Sequence, residues 1–169
     1  MSFIISNNTF ISFAEYQDVV DRDSRLFEEN EILNNEADIE IVLGRASERL
    51  LARIKSSEWW KEYNYRRDSS LNRDSRRVPN VDPLKIIGRQ EDFTDLTVAI
   101  ALADYILPSV ADFANETSSE RQKMLFYKER SNDLFVELLE SGDWYDYDDD
   151  SSVETEERDP SRINLVRIR

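Results

Sequence analysis

The chain has 169 residues, a formal charge of −14 and neither histidine nor cysteine. That length suits one domain with a sizeable core, and the missing thiols and imidazoles remove disulfides, the common zinc ligand sets and most hydrolase chemistry. The acidic balance argues against binding nucleic acid by phosphate neutralisation, and three glycines leave no phosphate-cradling loop. A non-catalytic protein with no cofactor and no metal is therefore expected. The first residues show no basic stretch followed by an apolar run, so no signal peptide is expected either.

Two short apolar clusters open the chain, Phe3 to Ile5 and Phe10 with Ile11, separated by Ser6 to Thr9. They suggest a small hairpin or an extended arm. Ser12 and Glu15 have the spacing of a capping box, which predicts a short helix to about Asp21, and a second helical piece is expected around 24–31. Asn34 or Asn35 then caps a longer helix reaching about Ser56. Its apolar face is Ile39, Val42, Leu43, Ala46, Leu50 and Ile54, three and four residues apart. Glu36, Asp38 and Glu40 at its start and Arg49, Arg53 and Lys55 at its end suit the helix dipole. Glu58 to Lys61 adds one turn, in which Trp59 and Trp60 read as aromatics covering a core rather than as a ligand cage.

Residues 66–80 hold five arginines and three serines with no apolar period. They read as a surface loop, locally positive on an acidic protein, and Arg66, Arg67, Arg73, Arg76 and Arg77 are candidate docking residues. Asp82 and Pro83 look like an N-cap followed by proline at the first helical position, with Gly88 interrupting the turn that follows.

The longest apolar stretch comes next. Between Leu96 and Ala111 the single formal charge is Asp104. Phe93, Leu96, Ile100, Ala103, Leu107 and Val110 recur at helical spacing, while Val98, Leu102 and Ile106 fall off that stripe. A helix apolar nearly all round is a buried core helix, and its central Asp and Pro argue against a membrane span. Pro108 cannot donate to the carbonyl of Asp104, so a kink is expected there. Thr117 and Glu120 form another capping box. The helix after them carries Met124, Tyr127, Leu134, Phe135, Leu138 and Leu139 on one side and lies antiparallel to the core helix. Gly142 is suited to end it as a left-handed cap.

From Asp143 the composition changes. Trp144, Tyr145 and Tyr147 are interleaved with acids, and through Asp159 there are nine acidic residues and one basic. Such a run buries too little apolar surface to order itself. Asp146, Asp148, Asp150, Glu154 and Glu157 match positions 1, 3, 5, 9 and 12 of a calcium loop, yet Ser151 stands where glycine is wanted and Pro160 forbids a following helix. Paired carboxylates for glycosidic chemistry lack a pocket to hold them. The terminal segment, Arg162, Ile163, Asn164, Leu165, Val166, Arg167, Ile168 and Arg169, reads as a basic strand with no local partner. The sequence thus describes an all-α helical bundle, residues 1–142, and an acidic arm, 143–169, ending in a docking strand.

This arrangement resembles the head–tail connector, or adaptor, proteins of tailed bacteriophages. The resemblance rests on the Phe10 to Glu15 opening, the helix at 36–56, and Val81, Asp82 and Pro83 leading into a buried helix. It rests further on an antiparallel helix ending in Glu140, Ser141, Gly142, Asp143, Trp144, Tyr145, Asp146 and Tyr147. The arginine-rich stretch and the length of the acidic arm depart from the pattern. The resemblance implies a helical virion protein of the neck, made in the host cytoplasm and assembled as a ring beneath the portal, commonly a dodecamer. Its C-terminal arm would grip the portal protein, here through Trp144, Tyr145, Tyr147 and residues 162–169. The ring would pass genomic DNA, without sequence-specific binding and without a membrane, towards a stopper or tail-completion protein. An unpaired strand suits β-augmentation of another chain, and a negative lining lets a duplex slide. A stopper role fits less well, because more strands would be expected. The alternative from another class is an acidic regulatory protein that mimics DNA; it would have no use for the terminal strand.

Overall fold

The computed structural model describes residues 4–6, 9–30, 33, 35–114, 118–154 and 157. It is mostly helical, with one two-stranded hairpin. The described residues fall into two units: Met1–Leu50 with Gln90–Glu137, and Leu51–Arg89 with Leu138–Arg169. The terminal strand expected over 162–168 lies outside the described residues, as do Asn34 and Thr117.

In the first unit, β1 (Ile4–Ser6) pairs antiparallel with β2 (Thr9–Ser12), with a register irregularity between Ile4 and Ile5. Two short helices follow, α1 (Tyr16–Arg22) and α2 (Ser24–Glu29). The expected Ser12 cap is not made. Ser12 is buried, with its hydroxyl 3.2 Å from that of Ser47, and the Ser47 hydroxyl accepts the Phe13 amide at 3.1 Å and donates to the Leu43 carbonyl at 2.9 Å. A buried hydroxyl must find a partner, and Ser47 supplies one. Glu15 starts α1 instead, its amide donating to Asp18 at 2.8 Å.

The long helix α3 (Glu36–Ser56) begins after Asn35, whose carbonyl accepts the Ile39 amide at 3.2 Å. Ile39, Leu43, Ala46, Leu50 and Ile54 are buried as their spacing predicts. The core helix is α5 (Gln90–Ala101), followed by a π turn, Leu102–Ile106, and a last α turn, α6 (Leu107–Val110). The irregularity falls just before Pro108, where the missing amide releases a carbonyl one turn back. By length and composition Gln90–Val110 could cross a membrane, but most of it is buried inside the protein, which is the place of a core helix. Its charge, Asp104, pairs with Arg49 at 3.3 Å. Thr94 donates to the Phe13 carbonyl at 2.7 Å, and the Phe13 and Phe93 rings lie 5.1 Å apart, so the hairpin end and the core helix are tied together. At the start of the final helix the Ser118 hydroxyl accepts the Arg121 amide at 3.3 Å.

The second unit contains α4 (Glu58–Arg67), a full ten-residue helix where one turn was expected. Ser57 caps it, accepting the Trp60 amide at 3.2 Å. Two 3-10 turns follow, Ser69–Leu71 and Pro83–Lys85; Asp82 accepts the Leu84 amide at 3.0 Å and Pro83 takes the first position of its turn, as expected. The final helix α7 (Ser119–Ser141) ends at Gly142, which has φ 60° and forms the predicted left-handed cap.

The expected boundary at Gly142 is displaced. Trp144 and Tyr145 are buried and belong to the second unit's core rather than to a solvated arm. The Trp144 carbonyl accepts the amides of Ile87 and Gly88, both at 3.2 Å, the Asp146 amide donates to Lys85 at 2.9 Å, and Ile86 and Tyr145 form an antiparallel bridge. Two rings that a local acid count treats as solvated have found a non-local partner in 85–88.

Candidate functional site

The second unit concentrates its aromatic and acidic side chains around α4. Trp60 and Tyr63 lie one turn apart on the buried face of that helix, and Arg67 follows at the next turn. Trp144 stacks on Trp59 at 5.1 Å and on Trp60 at 6.4 Å, and Tyr145 meets Trp60 edge-on at 4.9 Å. The Trp144 indole donates to the Leu138 carbonyl at 3.1 Å. The Arg67 guanidinium sits 3.8 Å from the Tyr63 ring centre and 5.4 Å from that of Tyr147, within cation–π range of both rings. Burial pushes the Tyr145 phenol up to about 12, offset in part by the Asp82 backbone. Burial likewise raises Tyr63, with the Arg67 charge opposing and the Glu157 charge reinforcing the shift.

Next to these rings the acidic loop turns back on itself. Asp146 accepts the amides of Asp149 (2.7 Å) and Ser151 (2.9 Å). Glu157 accepts those of Tyr147 (2.7 Å), Asp148 (3.3 Å) and Glu154 (3.2 Å). Asp149 and Ser151 both take positive φ, 70°. One carboxylate oxygen from each of Asp146, Asp148 and Glu157 comes within 4.8 Å of the others. Asp150 is spent on the amide of Ser152 at 2.9 Å.

Of the residues expected to touch partners, the structure gathers Trp144, Tyr145, Tyr147 and Arg67. Trp144 and Tyr145 are occupied by the chain's own core, and Tyr147 stays part-exposed. The arginine set is not one loop. Arg66 and Arg67 end α4, Arg73 pairs with Glu62 at 3.6 Å, and Arg77 donates to the Ser70 carbonyl at 3.1 Å. Arg73, Arg76 and Arg77 are exposed. Arg162, Ile163, Leu165, Val166, Arg167, Ile168 and Arg169 lie outside the described residues. Tyr63 went unnoticed in the sequence; its spacing of three from Trp60 and four from Arg67 was the available signal.

The first unit offers a different kind of surface. Leu125 and Phe126 on α7 are 57% and 60% exposed, and Ile41 on α3 is 55% exposed. Ile11 of the hairpin is also exposed, and its backbone lies against Gly44, one turn from Ile41. A cleft of about 280 Å³ beside Phe126 is lined by Ala99, Arg130 and Leu134. No protein family, no curated protein and no solved structure matches the chain.

Proposed function

We propose that the protein is a structural, non-catalytic head–tail connector adaptor of a tailed phage, working as a ring in the virion neck between portal and tail. One observation carries the reading: the first unit has two apolar faces of opposite charge. Between positions 121 and 130, around Leu125 and Phe126, four residues are basic and one acidic; between 36 and 48, around Ile41, four are acidic and one basic. Adjacent exposed apolar residues such as Leu125 and Phe126 suit an interface when they form a contiguous patch. Two different complementary faces make a head-to-tail contact, and such contacts close into rings when the rotation permits. The terminal residues 162–169 would add a strand to the portal, and the net charge of −14 would keep the conduit from holding DNA.

Light scattering coupled to size exclusion tests the reading on the full chain. Assembly into a ring that Phe126→Asp reduces to folded monomers is the expected result. A wild-type chain that stays monomeric at high concentration and with portal-containing particles would overturn it.

A further inference from the structure

The cluster of Asp146, Asp148 and Glu157 is the strongest feature that a connector role leaves unused. Asp146 and Glu157 are 2% and 7% exposed, and among the described residues no lysine or arginine forms an ion pair with any of the three. Backbone amides orient two of the carboxylates but bring no net charge. Buried acids without a counter-charge are costly. An acidic cluster alone would not identify a ligand, but a second group points to one. The Tyr63 side chain is fully buried and its hydroxyl has no hydrogen-bond partner among the described residues. Its ring lies 6.1 Å from that of Tyr147, whose amide donates to Glu157, and the Glu157 charge acts on its phenol. A buried hydroxyl left without a partner calls for one that is missing, commonly an ion or its water.

We propose that Asp146, Asp148 and Glu157 bind a calcium ion, with the Tyr63 hydroxyl held by a water of that ion. The donors are all hard oxygens on a loop, which calcium accepts in flexible geometry at about 2.3–2.6 Å. Three carboxylate oxygens within 4.8 Å of one another leave room for one cation between them, and an irregular loop suits calcium's flexible coordination better than magnesium's strict octahedron. Ser151 supplies at φ 70° the left-handed turn for which a calcium loop ordinarily uses glycine. The site stands whether or not the chain forms a ring.

The test uses the chelator-treated full chain. Calcium at millimolar concentration should raise the thermal midpoint, more than magnesium does. Terbium should luminesce when the neighbouring tyrosines and tryptophans are excited. Asp148→Asn is the informative variant, because the Asp148 carboxylate makes no hydrogen bond among the described residues and its removal leaves the loop's amide bonds in place. It should weaken calcium at least about tenfold, and Tyr63→Phe, which deletes only an outer hydroxyl, by about 10-fold or more. No midpoint shift with calcium and no terbium luminescence would overturn the proposal. So would calcium binding of undiminished affinity in Asp148→Asn, which would assign it to dispersed surface acids.

Discussion

Trp144→Ala separates a segment that belongs to the fold from one that merely trails it. The indole is fully buried, and emptying a buried tryptophan site costs about 3–5 kcal/mol. Two stacked neighbours, Trp59 and Trp60, and the edge of Tyr145 at 5.8 Å push the cost towards the upper end, since each aromatic pair adds about 0.5–1.5 kcal/mol beyond area. The lost indole hydrogen bond adds little. The Leu138 carbonyl that accepts it also accepts the Ser141 hydroxyl at 2.7 Å, so no acceptor is orphaned. The expected loss is about 4–5 kcal/mol from the second unit, comparable with the whole stability of many domains.

Urea unfolding followed by near-UV and far-UV circular dichroism reads the loss, with Trp144→Phe as the control that keeps a ring in the site and loses less than half as much. A chain truncated after Gly142 should behave like Trp144→Ala or worse, because it also removes the Ile86–Tyr145 bridge. A Trp144→Ala loss below about 1 kcal/mol, the scale of an ordinary surface substitution, would refute the reasoning and return residues 143–147 to a solvated arm.

Two further outcomes follow from the same unit. A Cβ on Gly88 would overlap the Asp143 carbonyl oxygen and stand 3.0 Å from the Trp144 Cα; both are backbone, so Gly88→Ala should cost about 1–3 kcal/mol as an overpacking change, read from the urea midpoint. Because the folded-state value of Tyr145 lies near 12 against an ordinary 10.0, the neutral phenol stabilises the fold fully below pH 10 and that stabilisation is lost as pH rises through 12. Thermal midpoints should fall over that window, and Tyr145→Phe should flatten part of the fall; an identical slope in the variant would contradict the burial argument.

The helices were legible because each carries its own period and its own punctuation. Ile39 to Ile54 and Phe93 to Leu107 announce their faces, and Gly142, Asn35 and Pro83 do locally what their chemistry allows. Ser12 was misread because its partner, Ser47, is 35 residues away, and a capping motif knows nothing of distant hydroxyls. The same limit hid the site. By composition 143–159 buries too little apolar surface to order itself, and a composition argument sees only the segment by itself. Its rings are ordered by Trp60 and Tyr63, about eighty residues earlier in the chain, and only the fold brings the two together. The register of Asp146, Asp148 and Glu157 was visible, but the left-handed Ser151 that closes the turn was not.

Anchoring at Glu157 rather than at Gly142 changes what the proposed arm can do. Residues 143–169 would reach about 90 Å if fully extended, but the twelve residues after Glu157 reach about 40 Å at roughly 3.3 Å each. In the proposed ring many such arms would act together, so portal contact should follow ring assembly and not precede it. Deleting 161–169 should therefore leave the thermal midpoint and the ring unchanged while stable attachment to portal-containing particles is lost, because the main-chain ladder goes with the strand. Val166→Pro should weaken attachment in the same assay by removing one donor. Inserting a flexible Gly-Ser segment after Glu157 should leave attachment nearly intact, because loop closure entropy grows slowly with length. Undiminished co-sedimentation of the 161–169 deletion would mean that the helical units make the contact, and a lowered midpoint would mean that the terminal residues are part of the fold.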